Sequence, residues 1–150
     1  MGSQEPGRTW RNGTGTLVVH APAQGPRTVA LEEHAAVAAE GHAAVAAGRR
    51  ATVAVEIAAS YRTRARGLLG RDGIDGALLL TPCGSVHTFG MRFAIDVAYL
   101  DRELNVLAVR TMKPGRLGMP RLRARHVLES AAGAMREWGV EPGVRLVINA

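Results

Sequence analysis

The segment from Thr88 to Val109 constrains the fold more than any other, because its pattern is that of a β-hairpin. Phe89, Met91, Phe93, Ile95, Val97 and Tyr99 fall on one parity, and Thr88, Arg92, Ala94, Asp96 and Ala98 on the other. A period of two marks a strand whose first set faces a core. Asp101 to Glu103 makes the turn, Asn105 tolerates the left-handed backbone that such turns demand, and Leu104 to Val109 returns antiparallel. Gly90 interrupts the run, and a glycine inside a strand marks a bulge or a close backbone approach. A bulge there turns His87 onto the face of Arg92.

Other strands are expected at Thr16 to His20, Ala51 to Ala58, Ala77 to Leu80, His126 to Glu129 and Val144 to Ile148. Ser60 offers an N-cap to an amphipathic helix from Tyr61 to Gly70, with Ala65, Leu68 and Leu69 on one face. Ser130 caps a second helix from Ala131 to Trp138, which Gly139 ends and Pro142 prevents from continuing. Residues 1–15 read as a flexible leader and 16–150 as a single globular domain. From Leu31 to Ala47 the composition is helical, an alanine-rich octapeptide written twice. Two copies fall short of a stacked-repeat architecture. His34 and His42 head the copies, but eight residues of helix separate them by about 12 Å and about 80° of rotation, too far for one shared ion.

With 150 residues, 47% of them hydrophobic, the chain is not wholly disordered, and with Cys83 alone it forms no internal disulfide. The alanine-rich stretch is shorter than the ~20 apolar residues of a bilayer span. The opening residues lack the apolar core of a signal peptide, so the expected location is the cytoplasm. The +6 charge comes from 18 arginines and one lysine against 13 acids. The arginines group at 62, 64, 66 and 71 and at 116, 121, 123 and 125, without the interleaved aromatics of a stacking surface for nucleic acid. Between 113 and 125 two prolines and two glycines describe a breaker-rich loop, of the kind that is mobile and functional.

The order R-T-R-A-R-G-L-L-G-R at 62–71, G-A-L-L-L-T-P at 76–82, S-V-H-T-F-G-M-R-F-A-I-D-V-A-Y-L-D at 85–101 and V-L-E at 127–129 resembles the bacterial and archaeal domain of unknown function 192 family over about residues 50–148. The resemblance implies an α+β fold, a small β-rich, barrel-like mixed sheet with short helices. Two departures stand out. Val144 follows Pro142 and Gly143 where the family has an aspartate, and residues 31–48 look like a helical insertion.

The leading reading is a domain that binds a small ligand, an anion being the type Arg92 and its neighbours suit, or a protein partner. The site lies at the polar end of the sheet, lined by His87, Thr88, Met91, Arg92, Asp96, Arg64 and Arg71. Asp96 is costly to bury unpaired, and Arg64, Arg66 or Arg71 are its candidate partners. The alternative is a hydrolase or transferase with His87 as base, Asp96 orienting it and Arg92 stabilising negative charge. It requires the three side chains to converge. A second alternative is nucleic-acid binding through the arginine groups. Cys83 and His87 stand four apart, a spacing that does not fix their distance in space. No zinc-ligand spacing and no phosphate loop is present, so neither metal nor cofactor is expected, and the chain is expected to be a monomer or weak oligomer.

Overall fold

The computed structural model describes residues 8–20 and 51–150. The alanine-rich segment at 31–48, His34 and His42 lie outside the described residues. The elements are β1 (Gly13–Val19), β2 (Ala51–Ala58), α1 (Tyr61–Arg66), β3 (Ala77–Leu80), β4 (Ile95–Leu100), β5 (Val106–Met112), β6 (His126–Ala131), α2 (Ala134–Trp138) and β7 (Leu146–Asn149). The strands form one mixed sheet in the order β5-β4-β6-β3-β2-β1-β7, with β2 and β3 parallel and the other neighbours antiparallel. The sheet curls until its two edge strands approach. Val106 N–H donates to Val144 O at 2.8 Å and Leu146 N–H to Leu104 O at 3.0 Å, a partial closure that makes the α+β fold barrel-like.

Alternation along the strands sorts their side chains into two cores. Leu17, Val55, Ile57, Leu79, Leu100, Leu128, Leu146 and Ile148 fill the concave interior, closed at one end by Met135 of α2. Leu78, Leu80, Ile95, Val97, Tyr99 and Val127 point the other way and are covered by Leu68, just after α1, and by Val86, Met91 and Ala124 from the loops. β4 is therefore buried on both faces.

The hairpin strand begins at Ile95, not Phe89. Residues before it turn tightly, with Met91 N–H donating to Thr88 O at 3.2 Å and Gly90 at φ 75°. The left-handed residue of the following turn is Leu104, φ 65°, rather than Asn105. Burial of its side chain in the interior core holds it there, while the Asp101 carboxylate accepts from the amides of Glu103 and Asn105, both at 2.9 Å. β1 begins at Gly13, its glycines held by antiparallel pairing with Ile57 and Val55. Ser60 does cap α1, accepting from Thr63 N–H at 3.3 Å, but the helix ends at Gly67 rather than Gly70. Ser130 caps nothing. It lies inside β6 and donates its hydroxyl to Ala131 O at 3.0 Å, leaving Gly133 at the N-cap of α2.

The loop at 113–125 is bound rather than free. Thr88 N–H donates to Arg116 O at 2.8 Å, Gly115 N–H to Thr88 O at 2.8 Å, Gly118 N–H to Val86 O at 2.8 Å and Arg121 N–H to Gly84 O at 3.1 Å. Gly118 is required for the approach, since a Cβ there would stand 2.7 Å from Tyr99 Oη and 3.0 Å from Val86 O.

Candidate functional site

The outer core is incompletely filled. Between α1, the end of β3, the loop 83–91 and the middle of β6 lies a cavity of about 160 Å³, bounded by Arg64, Leu68, Cys83, His87, Met91 and Glu129 among others. The strand pairing of β6 turns Glu129 toward it: the residue shares a face with Val127 and pairs in register with Leu78 and Val97, all three in the outer core. Its residue exposure is 4%, and it has no hydrogen bond or ion pair with any described residue. Burial alone pushes its carboxyl up to about 7.

Cys83, half-buried, also lines the cavity. Its thiol donates to Ser85 O at 3.1 Å, and burial pushes its pKa up, so at neutral pH it is a thiol and not the thiolate that nucleophilic chemistry needs. His87 stacks on Phe89, ring centroids 5.4 Å apart. No hydrogen bond joins Cys83 to His87. Arg64 is fixed at the rim by donation from Nη1 to Pro82 O at 2.6 Å and from Nε to Ser60 O at 3.4 Å.

Of the residues read from sequence, the cavity brings together Arg64, His87 and Met91. Thr88 is fully buried elsewhere and latches the loop, its hydroxyl donating to Lys113 O at 2.6 Å and accepting from Arg116 N–H at 2.8 Å. Arg71 is held bidentately by Glu56, at 3.1 and 2.8 Å, an interaction that keeps the Glu56 carboxyl below its usual range. Arg92 is exposed and pairs with exposed Asp72 at 3.0 Å. Such pairs contribute about 0–1 kcal/mol, so Arg92→Ala should change unfolding free energy by no more than about 0.5 kcal/mol in a urea titration. A larger loss would give Arg92 a structural role that its surface pair does not supply.

Asp96 pairs with none of Arg64, Arg66 and Arg71. Alternation with Ile95 and Val97 turns it to the face opposite Glu129, where it accepts from Thr111 Oγ1 at 2.7 Å, Gly133 N–H at 2.8 Å and Met135 N–H at 3.3 Å. The carboxylate of one strand thus satisfies the first amides of α2, which has no side-chain cap of its own. His87, Arg92 and Asp96 consequently do not converge, and the acid–base arrangement that requires them together is not formed.

Glu129 is the residue that sequence reasoning passed over. The signal was an acid inside the apolar strand H-V-L-E-S-A. Nothing local distinguishes it from a solvent-facing glutamate, because β3, β4 and α1 create its surroundings. Among the described residues no helix is long and apolar enough to cross a membrane.

Comparison with known proteins places these features in a wider set. Residues 43–148 match the DUF192 family model, described as Uncharacterized ACR. A UPF0127 protein of Pyrococcus horikoshii is 36% identical over 53% of this chain and 73% of its own length. Another, of Pyrococcus abyssi, is 33% identical over 59% of this chain and 80% of its own. The fold is similar to a crystal structure from Novosphingobium aromaticivorans of unknown function, with a TM-score of 0.65 and 13% identity over 98% of this chain and 99% of that one. It is also similar to a Sinorhizobium meliloti protein provisionally described as a transcription regulator, with a TM-score of 0.66 and 17% identity over 94% of this chain and 98% of that one.

Proposed function

The chain belongs to the DUF192 family, Uncharacterized ACR, and on that premise we propose that it binds a small polar molecule in the outer-core cavity, with Glu129 as the recognition group. The observation that carries this reading is a buried carboxyl on the cavity wall with no hydrogen-bond partner among the described residues. A buried acid that makes no hydrogen bond costs folding free energy, and a ligand carrying an amine or hydroxyl donor supplies the missing bond. Arg64 at the rim suits an acidic group at the other end of the same molecule, which keeps an anionic ligand in view. The volume of about 160 Å³ lies below the ~300 Å³ lower end of drug-sized sites, so the ligand is of small-metabolite size. Binding rather than catalysis is supported by Cys83, whose thiol is not activated. We place the protein in the cytoplasm, where an unpaired thiol such as Cys83 stays reduced.

The test is thermal denaturation against a metabolite library with the wild type, Glu129→Gln and Arg64→Ala. A ligand at 100-fold its Kd adds about 2.7 kcal/mol by mass action. The expected result is a compound that raises the wild-type midpoint and leaves folded Glu129→Gln unmoved. Equal shifts in wild type and Glu129→Gln, or no shift with any compound, would overturn the reading.

A further inference from the structure

A second cavity, independent of Glu129, lies where the loop 113–121 crosses the outer face of β4 and β5. Its volume is about 500 Å³, and its charged lining is cationic throughout: Arg110, Lys113, Arg116 and Arg121. None of the four forms an ion pair with a described residue. Among the described residues the Arg110 guanidinium donates only to the carbonyl of Val109, at 2.9 Å. The guanidinium carbon of Arg121 lies 4.9 Å from the centroid of the Tyr99 ring, and its Nε–H is buried without an acceptor.

Four cations with no ion-pair partner among the described residues repel one another, and the fold nevertheless holds their backbone positions close together. Arg110 projects from β5 opposite Val97. Lys113 and Arg116 sit on the stretch latched by the Thr88 hydroxyl, and the backbone amide of Arg121 is tied to Gly84 O. The loop backbone that carries these side chains is thus ordered before any ligand arrives, which lowers the cost of binding. We propose that this groove is a binding site for a small molecule carrying two or more phosphate groups. Arginine forks and a lysine are the donors that phosphate oxygens take. The groove accommodates a single small ligand, and Leu117 and Met119, 72% and 77% exposed, give it an apolar wall for a non-phosphate portion. A nucleic-acid strand is disfavoured because Tyr99, the one aromatic side chain of the lining, is 2% exposed and offers no ring face for a base.

Calorimetric titration of the full chain with inorganic triphosphate tests the site at two salt concentrations. The comparison pairs Lys113→Glu/Arg116→Glu with Arg62→Glu/Arg136→Glu, a double change of equal charge away from the groove. All four residues are exposed, so both variants should fold. The expected result is saturable one-site binding that weakens at least tenfold in the groove variant and less than twofold in the other. Phosphate presented as a headgroup is tested by sedimentation with phosphatidylglycerol and phosphatidylcholine vesicles. Retention on the anionic vesicles alone, lost in the groove variant, supports the site with a headgroup as its source. Equal weakening in both variants, an absence of saturable binding in both arms, or a groove-dependent shift of a single-stranded oligonucleotide without triphosphate binding would overturn the proposal.

Discussion

Glu129→Gln should stabilise the protein at pH 8 by about 3 kcal/mol and remove the fall in stability that Glu129 causes between pH 4.5 and 7. In the unfolded chain this carboxyl titrates near 4.5, whereas in the folded protein it titrates near 7. Across that window the folded state holds a proton that the unfolded state has released. Stability therefore falls as pH rises through it, by about 1.4 kcal/mol for each pH unit, and stays at the lower level above it. Glutamine occupies the same volume and never ionises, so it removes the penalty that the wild type carries at alkaline pH. For a chain of this size the gain corresponds to about 10 °C in midpoint.

His126 contributes with the opposite sign. Burial lowers its pKa, so its stabilisation is complete above the unfolded value of 6.5 and is lost as pH falls through its folded value. It acts in wild type and variant alike, partly masking the Glu129 slope in the wild-type curve and cancelling in the difference. The quantity to measure is thus the difference between wild type and variant, in urea titrations at pH 5, 6, 7 and 8. A difference that grows with pH to a plateau near 8 supports the assignment, and parallel curves would remove Glu129 from the buried acid's role.

Asp96→Ala should have the largest destabilising effect, about 3–5 kcal/mol. Its carboxylate ties β4 to two other segments: Thr111 on β5, and the start of α2 through Gly133 and Met135, the latter's side chain fully buried in the interior core. Truncation leaves two amides and a hydroxyl to find other acceptors in a site that is 3% exposed. Asp96→Asn keeps an acceptor oxygen and should cost about half as much. Loss of unfolding free energy in urea measures both. A ligand bound in the Glu129 cavity should keep its affinity for the folded fraction of either variant, since Asp96 faces the other side of the sheet. Equal stability of Asp96→Ala and wild type would contradict the capping role.

Local features of the sequence were legible wherever the cause lay within a few residues. The alternation of Ala51–Ala58, the strand at Ala77–Leu80 and the N-cap at Ser60 all follow from neighbours in the chain. The alternation from Phe89 was misleading because Gly90 and the Thr88 turn divert the chain before β4 begins, so Phe89 is 51% exposed despite its place in the pattern. Asp96 and Glu129 show the other limit. Both are single acids in otherwise apolar strands, yet one is fully satisfied and the other is not. The distinction depends on which face of the sheet each occupies and on whether α2 or a cavity lies there, and that is decided by segments tens of residues away. The resemblance carried by residues 62–101 supplied the barrel-like fold, which the strand patterns alone could not close.

The approach of β5 to β7 also bears on how copies of the chain meet. A sheet edge with unpaired amides and carbonyls is a template for strand addition, the common route to aggregation. Here Leu104 and Val106 already exchange hydrogen bonds with Val144 and Leu146, so the edge left along β5 runs only from Leu107 to Met112. That remnant carries Arg110 and is followed by Lys113. Two such edges brought together antiparallel would oppose like charges across a few residues of ladder. The curl that shapes the interior core thereby also disfavours strand addition along β5.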